Sequence, residues 1–589
     1  MTKVEAGGRE VALSGGEGSG FRGSLSVEKA EAGVELVRVR IAADEAGRPP
    51  AFHLSWSRPT AGVHGYWHPG GKHDKGLAVS WSGGFRSKAT SSAPVGCLYG
   101  LDGTNRLTFA LSDALGTVSV KAGVEEESAE IVCSVGFFEA PVAPFAEYEA
   151  TLRLDSRDVP YYEALAGVGH WWAGMPGYGP APVPETARLP MYSTWYGFHQ
   201  DLDPGRVEGQ CRLAKELGCE AVIVDDGWQT TSSERGYAHT GDWEPVKEKF
   251  PDMAAHVGRV HGLGMEYLLW YSVPFVGYES EAYRRFDGRL LNRMDRHSAG
   301  VLDPRFPEVR EFLISTYEAA LRGWDLDGFK LDFVDAFEPP TGQTPELGGG
   351  RDYDGVPEAV DRLLTDTMGR LRSIKPDVMI EFRQSYVGPL MRKYGNMFRA
   401  GDCPNDAVEN RVRTLDIRLL CGDTAAHGDM LMWHPDDSVE SAALQVMNVL
   451  FGVPQISVLL DEIPPEHLEM LRFWLGLWRE HRDVLLDGEI APLHPDSLYP
   501  VVLARTNEKL AAASYTDAVV RLEGGLPPTL LVVNGTLADG VVLGLSEDAG
   551  TREIEARDCR GRVAHKENVE LMKGLHEIDV PAAGVAFVR

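Results

Sequence analysis

The pattern of hydrophobic and polar positions changes twice along the chain, which divides it into three regions. From Val11 to about Asp158, apolar and polar residues alternate in short runs separated by Gly, Asp and Pro, the pattern of β-strands in a sandwich. A Pro- and Gly-rich passage at residues 174–185 then interrupts regular structure. We therefore predict an N-terminal β-sandwich over residues 1–175.

In the second region, residues 185–488, short apolar runs alternate with segments of helical spacing. The predicted strands are residues 192–198, 221–224, 266–271, 328–333, 378–383, 396–402, 429–434 and 454–460, and predicted helices include 204–217, 309–323, 359–371 and 465–486. Eight strand–helix alternations are typical of a (β/α)8 TIM barrel. A doubly wound open sheet is the alternative, but no Gly-rich phosphate-binding fingerprint follows any of the strands.

The third region, residues 489–589, again shows the sequence pattern of β-strands, and we interpret it as a small C-terminal β-sandwich. The predicted fold class is therefore α/β, with a central barrel flanked by two sandwiches.

The amino-acid composition disfavours several classes of binding partner. The formal charge of −29 and the lack of a basic cluster disfavour nucleic acid and anionic membrane surfaces, so neutral or polyol-like substrates fit better. The seven Cys are scattered without a C-x-x-C motif, which predicts reduced thiols rather than a disulfide framework or a zinc site. The first residues lack an apolar signal segment and no run of 18 apolar residues occurs, so we expect a cytoplasmic location and no membrane partner.

The fourth predicted barrel strand carries two charges, Lys330 and Asp332, near its end. Charged side chains are rarely buried without a partner, and a barrel exposes its active site at the carboxyl ends of its strands. A Lys–Asp pair that merely ends a strand is the plain alternative for this stretch alone.

Acids and aromatic residues stand at almost every other predicted strand end. They are Trp195, Tyr196, Asp225, Asp226, Trp228, Trp270, Tyr271, Glu381, Arg383, Arg399, Asp402, Trp433 and His434. Adjacent Asp225 and Asp226 would on their own more often cap a helix than bind a ligand. The recurrence of polar groups at successive strand ends is what favours a site.

Carboxylates from different strands, with tryptophans beside them and no metal, cofactor or phosphate motif, are typical of a glycosidase. Asp332 is the candidate nucleophile, since Lys330 on the same face favours its anionic form. Asp402, two strands along, is the candidate general acid and base. A retaining mechanism requires these two carboxyl groups to lie about 5 Å apart.

Several linked motifs carry a family resemblance. They are Asp225-Asp226-Gly227-Trp228, Gly241-Asp242-Trp243, Lys249-Phe250-Pro251, His261-Gly262-Leu263-Gly264-Met265, Lys330-Leu331-Asp332 and Asp402-Cys403-Pro404-Asn405-Asp406 with Arg411 beyond. Together, over roughly residues 192–493, they resemble glycoside hydrolase family 36, the bacterial α-galactosidases, which share a clan of retaining enzymes with family 27. The resemblance implies an exo-acting α-galactosidase with a small carbohydrate substrate, and it is the basis for expecting a homo-oligomer.

The resemblance also implies roles for individual residues. Asp332 would be the nucleophile and Asp402 the acid/base, with Asp406 behind it or capping a helix. The predicted substrate-binding residues are Asp225, Asp226, Trp228, Lys330, Trp195, Trp243, Tyr271, Arg383, Arg399 and Asp406.

Two departures from the family pattern concern the substrate. Residues 270–274 read Trp-Tyr-Ser-Val-Pro, where the family places a glutamate, and residues 381–386 read Glu-Phe-Arg-Gln-Ser-Tyr, where it places a Cys and glycines. Arg383 in place of a small residue could pair with a charged or differently branched substrate group.

Three other interpretations stay open at this point. One keeps the chemistry but changes the sugar or the acceptor, giving another α-glycosidase or a transglycosylase. A second makes Lys330 a Schiff-base lysine, as in an aldolase. A third is a sugar-binding protein without activity.

Overall fold

The computed structural model describes residues 1–82, 84–344 and 346–589. Its N-terminal region is a sandwich of two six-stranded sheets, with strand orders β1-β2-β5-β11-β10-β7 and β3-β4-β12-β9-β8-β6. The strands are β1 (Thr2–Ala6), β2 (Arg9–Gly15), β3 (Arg22–Glu31), β4 (Val34–Gly47), β5 (Phe52–Pro59), β6 (Gly65–Trp67), β7 (Phe85–Ser87), β8 (Val95–Tyr99), β9 (Asn105–Leu111), β10 (Val118–Glu125), β11 (Glu130–Phe137) and β12 (Phe145–Asp155). Alternate residues of these strands, such as Val37, Val39 and Ile41, are buried between the sheets.

A helix, α1 (Tyr161–Ala173), leads from the sandwich into an eight-stranded parallel barrel, which confirms the predicted fold class. The barrel strands are β13 (Met191–Ser193), β14 (Ala221–Val224), β15 (Glu266–Ser272), β19 (Gly328–Asp332), β20 (Met379–Arg383), β21 (Met397–Arg399), β22 (Ala425–His427) and β23 (Gln455–Ile456). A parallel bridge between His427 and Val453 brings the two ends of this sheet together. A small sheet of β16 (Phe275–Gly277), β17 (Leu290–Met294) and β18 (Ala299–Leu302) follows the third barrel strand.

Helices surround the barrel. They are α2 (Trp195–Phe198), α3 (Pro204–Glu216), α4 (Met253–His261), α5 (Glu281–Arg285), α6 (Pro307–Gly323), α7 (Val356–Ile374), α8 (Met391–Tyr394), α9 (Ala407–Arg418), α10 (Val439–Asn448), α11 (Pro465–Glu480) and α12 (Arg482–Leu485). Their starts follow the local sequence: Asp203 caps α3 and Asp252 caps α4 through backbone N–H groups, while Pro307 and Pro465 occupy the first turns of α6 and α11.

Two of the predicted barrel strands were wrong in their position. The first is only Met191–Ser193, because the chain turns at Thr194 into α2, so Trp195 and Tyr196 lie on a helical turn. The seventh is Ala425–His427 rather than residues 429–434. There, the side chain of Asn410 binds both the N–H (2.8 Å) and the carbonyl (3.0 Å) of Asp429, and the run joins the sheet through a bridge between Leu431 and Ile456 rather than as a strand.

The barrel interior is layered. At the amino end of the strands it is filled by apolar side chains, including Met191, Ile223 and Leu268. Above them lies a buried polar layer in which Gln455 donates to Glu381 and contacts His427. The charged residues of the predicted site follow at the carboxyl ends of the strands.

The C-terminal region consists of two sheets. Their strands are β24 (Glu489–Leu493), β25 (Val501–Arg505), β26 (Lys509–Ser514), β27 (Val520–Leu522), β28 (Thr529–Asn534), β29 (Val541–Leu545), β30 (Gly550–Arg557), β31 (Val563–Leu571), β32 (Gly574–Ile578) and β33 (Val585–Val588). Within the described residues, no helix has the length and apolar character needed to cross a membrane.

The three regions meet at a buried polar junction. Lys75 of the N-terminal sandwich pairs with Asp416 of α9 at 2.8 Å, and Trp67 donates to both Asp416 and Tyr499 at 2.9 Å. A buried charge pair tolerates little movement, so this junction fixes the sandwich against the barrel.

Candidate active site

Asp332 is the last residue of β19 and points into the barrel mouth. One carboxylate oxygen, Oδ1, accepts from Arg383 Nε at 2.9 Å, from the backbone N–H of Phe333 at 2.8 Å and from the Tyr386 hydroxyl. The other, Oδ2, accepts from Trp270 Nε1 at 3.1 Å. Burial by itself would raise the pKa of Asp332, but the charges of Arg383 and Lys330 outweigh it and hold this pKa below its ordinary value. Asp332 is therefore ionised, as a nucleophile must be.

The second barrel strand delivers the two adjacent acids to the same mouth. Asp225 pairs with Lys330 at 2.5 Å, and Asp226 accepts from the amides of Gln200 and Gln229, both at 2.7 Å. Burial raises the pKa of Asp226 to about 6 despite these donors. Neither acid caps a helix, so the plain interpretation of this pair does not apply.

Asp402 follows the sixth strand, and about half of its side chain (48%) is exposed. It pairs with Arg399 at 3.0 Å. Burial opposes its ionisation, but Arg399, Arg383 and Lys330 together hold its pKa below the ordinary value, an effect that solvent at the exposed side weakens. In the unliganded site Asp402 is therefore ionised.

Arg383 and Lys330 act on both candidate catalytic carboxylates. They lower the pKa of Asp332 and that of Asp402. Asp332 ends the fourth barrel strand and Asp402 follows the sixth, so both carboxyl groups lie at the carboxyl end of the same parallel barrel. The structure thus places the two aspartates of the sequence interpretation at the same end of the barrel.

A buried network holds Arg399 below Asp402. The Arg399 side chain is fully buried and binds Asp429, which also accepts from the Tyr196 hydroxyl (2.8 Å) and from the N–H of Cys403 (2.7 Å). Arg399, predicted to bind substrate, is instead covered by these acids. It positions the loop that carries Asp402.

The predicted aromatic residues have different surroundings. Trp195 lies two residues beyond the first barrel strand and is partly exposed. Trp243 is buried and packs against Trp270 at a ring distance of 6.0 Å and against Tyr271 at 4.8 Å. Trp228 and Tyr271 do not face the barrel mouth. Both are fully buried, and Tyr271 packs on Tyr317 and Phe329 in the layer between the strands and the helices, because side chains alternate along β15 and Trp270 faces inward.

A cavity of about 570 Å³ adjoins Asp402. Residues 71–74 of the N-terminal sandwich form one wall, and residues 402–404 with Asp406, Glu409 and Arg413 form the other. Asp406 also caps α9, since its side chain accepts from the N–H of Glu409 at 2.9 Å. Within the described residues, no group of three His, Cys, Asp or Glu is arranged to hold a metal ion.

Sequence reasoning gave no role to three side chains of the site, although it noted Trp270 at a strand end. Trp270 and Tyr386 bind the candidate nucleophile Asp332, and Asp429 binds Arg399. The signal for Trp270 was available, because it stands opposite Lys330 in the parallel register and so shares its inward face. Tyr386 lies three residues beyond its strand, where no periodicity indicates a direction.

Comparisons with known proteins agree with this architecture. The Melibiase family model matches residues 185–346. An α-galactosidase from Escherichia coli is 30% identical over 321 residues, and the α-galactosidase Mel36A from Lactobacillus acidophilus is 27% identical over 156 residues. The structure of family 36 α-galactosidase AgaA from Geobacillus stearothermophilus superposes with a TM-score of 0.67 at 15% identity, covering 99% of this chain and 83% of that one. The chain is similar to the family 36 α-galactosidases.

The extent of these matches differs between sequence and fold. The aligned segments span 52% of this chain and 43% of the Escherichia coli protein, and 26% of this chain and 20% of the Lactobacillus protein. The structural match to family 36 covers nearly the whole chain and shows the common fold, including the barrel. The family resemblance predicted from the motifs is confirmed.

Proposed function

We propose that the chain is a retaining, exo-acting α-glycosidase, with a terminal α-linked galactose as the expected sugar. The observation that carries the proposal is that Asp332 ends β19 and Asp402 follows β21, so two carboxyl groups, each paired with an arginine, stand at the carboxyl end of one barrel. Related structures support the substrate class, since crystals of AgaA variants contained stachyose or raffinose.

The first half of the reaction forms a covalent intermediate. A carboxylate oxygen of Asp332 attacks the anomeric carbon, the glycosidic bond breaks, and its electron pair goes to the leaving oxygen, which takes a proton from Asp402. Asp402 must first acquire that proton. Its exposed side chain can exchange with solvent, and a leaving group that displaces Arg399 from it removes the contact that favours ionisation.

The second half returns the free enzyme. Asp402, now ionised, removes a proton from water, the water oxygen bonds to the anomeric carbon, and the bond to Asp332 breaks. The charge state of the unliganded site already suits this step. Because Asp402 is the proposed donor to the leaving group, we place the remainder of the substrate in the cavity that adjoins it.

Buried acids would hold the sugar itself. The carboxyl oxygens of Asp225 and Asp226 can accept hydrogen bonds from sugar hydroxyl groups, and Lys330 can donate one. Arg383 occupies space that a small residue leaves open in the family pattern, so the sugar accepted here can differ from galactose at the carbon nearest Arg383.

The ion pair of Lys330 argues against an aldolase. A Schiff-base lysine must present its amine to a substrate carbonyl, whereas the Lys330 amine is engaged by the Asp225 carboxyl group at 2.5 Å in a buried site.

A panel of aryl α-glycosides tests the proposal. We expect hydrolysis of the galactoside or of a close epimer by the wild-type chain, with turnover several orders of magnitude lower in Asp332→Ala. Transfer to an added alcohol in place of water would identify a transglycosylase. Binding of a sugar without hydrolysis of any member of the panel would contradict the proposed activity.

A further inference from the structure

The two oxygens of Asp332 have unequal surroundings. Oδ1 accepts three hydrogen bonds, from Arg383, Tyr386 and the backbone of Phe333. Oδ2 accepts one, from Trp270, among the residues that the structure describes. A carboxylate oxygen has two lone pairs, so Oδ1 is saturated whereas Oδ2 keeps a lone pair that can form a bond.

The two side chains that bind Oδ1 are themselves fixed. The Arg383 guanidinium lies between the rings of Phe333 and Tyr386, 5.3 Å from each ring centre. Tyr386 is fully buried against Phe382. The loop that carries Tyr386 is tied to the N-terminal sandwich by a hydrogen bond of 2.7 Å from the N–H of Ser92 to the carbonyl of Ser385. The geometry at Oδ1 is therefore built before substrate binds.

We propose that Arg383 and Tyr386 form a clamp on Oδ1 that leaves Oδ2 as the attacking atom and makes the Asp332 carboxylate a good leaving group. This inference rests on the proposed glycosidase function and predicts which of its two half-reactions is the slower. Formation of the glycosyl-enzyme is the slow step, and its breakdown is the fast one.

The charge on Oδ1 changes during the reaction. In the free enzyme the carboxylate charge is shared by both oxygens, and the clamp stabilises it, which makes the attack by Oδ2 less favourable. In the glycosyl-enzyme Oδ1 is a neutral ester carbonyl, and the same donors gain less. When water attacks and the bond from the anomeric carbon to Oδ2 breaks, the electron pair returns to the carboxylate, and the clamp stabilises the charge that develops on Oδ1.

Tyr386→Phe and Arg383→Lys test the clamp, because each keeps the shape or the charge of the side chain. The probe is a nitrophenyl α-glycoside that the wild type cleaves, followed in a rapid-mixing instrument. We expect no initial burst of nitrophenol from the wild type and a burst approaching one equivalent from Tyr386→Phe, with kcat lowered about tenfold to a hundredfold and KM lowered with it. Loss of a charge-assisted hydrogen bond that stabilises the free carboxylate has this effect, because it slows release of the carboxylate in the second step and does not slow its attack in the first.

Tyr394→Phe is the matched control. Tyr394 is also a buried tyrosine whose hydroxyl binds an aspartate, Asp361, at 2.7 Å, but this aspartate lies outside the site. The control should show the steady-state constants and the absence of a burst seen in the wild type.

The dependence of kcat on the leaving group gives a second measurement. With a series of substituted phenols, kcat of the wild type should rise as the pKa of the phenol falls, whereas kcat of Tyr386→Phe and Arg383→Lys should be nearly constant. A full burst from the wild type, or variants that keep its leaving-group dependence, would overturn the clamp. A wild type that cleaves no α-glycoside would overturn the proposed function instead, so the two failures are distinguishable.

Discussion

Replacing Lys330 by Met should destabilise the barrel much more than the loss of an ordinary ion pair. Lys330 and Asp225 contact each other at 2.5 Å with side chains that are only 5% and 4% exposed. The substitution leaves Asp225 charged, buried and next to a second acid, Asp226. The cost is the desolvation of that uncompensated charge.

The magnitude follows from this burial. Removing one partner of a buried pair costs about 3–5 kcal/mol, whereas removing an exposed pair costs about 0–1 kcal/mol. Asp225→Asn in the Lys330→Met background removes the remaining charge while keeping the side-chain oxygen that accepts from the N–H of Asp226. The double variant should therefore recover most of the lost stability, although it should bind sugar poorly.

Equilibrium urea unfolding, followed by tryptophan fluorescence, measures these differences as shifts in midpoint at an unchanged slope. Arg38→Met is the control, since Arg38 pairs with Glu28 at 2.6 Å on the sandwich surface with 66% and 54% of the side chains exposed. Its free energy of unfolding should change by less than about 1 kcal/mol. A similarly small change for Lys330→Met, or no recovery in the double variant, would refute the reasoning.

Three further predictions concern the acids of the site. In Asp402→Ala, turnover of glycosides with alkyl leaving groups should fall far more than turnover of activated aryl glycosides. Azide should restore activity and give an α-glycosyl azide as the product. A uniform loss of turnover for all leaving groups would argue against a general acid. Burial raises the pKa of Asp226 to about 6, so the charged form that accepts sugar hydroxyls is present above this pH and lost below it, and calorimetry should show monosaccharide binding weaken as pH falls through about 6. Asp226→Asn should abolish that pH dependence. Asp429→Asn should lower kcat about tenfold or more, because it weakens the contact that positions Arg399 beneath Asp402. The circular dichroism spectrum should stay unchanged. An unchanged kcat would show that the Asp429–Arg399 contact does not control the loop of Asp402.

The barrel could be predicted because its longer strands are buried on both faces and so appear as apolar runs between helical segments. The seventh strand could not. Ala425–His427 has only three residues of low β-propensity, whereas the more apolar run after Asp429 meets the sheet through a single bridge between Leu431 and Ile456, since the backbone of Asp429 is bound by the side chain of Asn410. That bond joins residues 19 positions apart and leaves no local signal.

The acidic residues of the site could be predicted from their positions at strand ends, whereas the side chains that bind them could not. Lys330 and Asp332 share one face of a strand, so their common direction follows from the period of two residues. The partner of Arg383 depends on the path of a long side chain across the mouth, and the sequence alone suggested a substrate group rather than Asp332. Tyr271 was placed at the site although its alternation with Trp270 indicates the opposite face.

The most direct test of the central claim is the identity of the residue that becomes covalently attached to sugar. A fluorinated α-galactosyl reagent that slows breakdown of the intermediate, followed by digestion and tandem mass spectrometry, locates the adduct. We predict one glycosyl group per chain, attached to Asp332, and none in Asp332→Ala. An adduct on another carboxylate such as Asp402, or turnover of the reagent with inverted configuration and no adduct, would contradict the account.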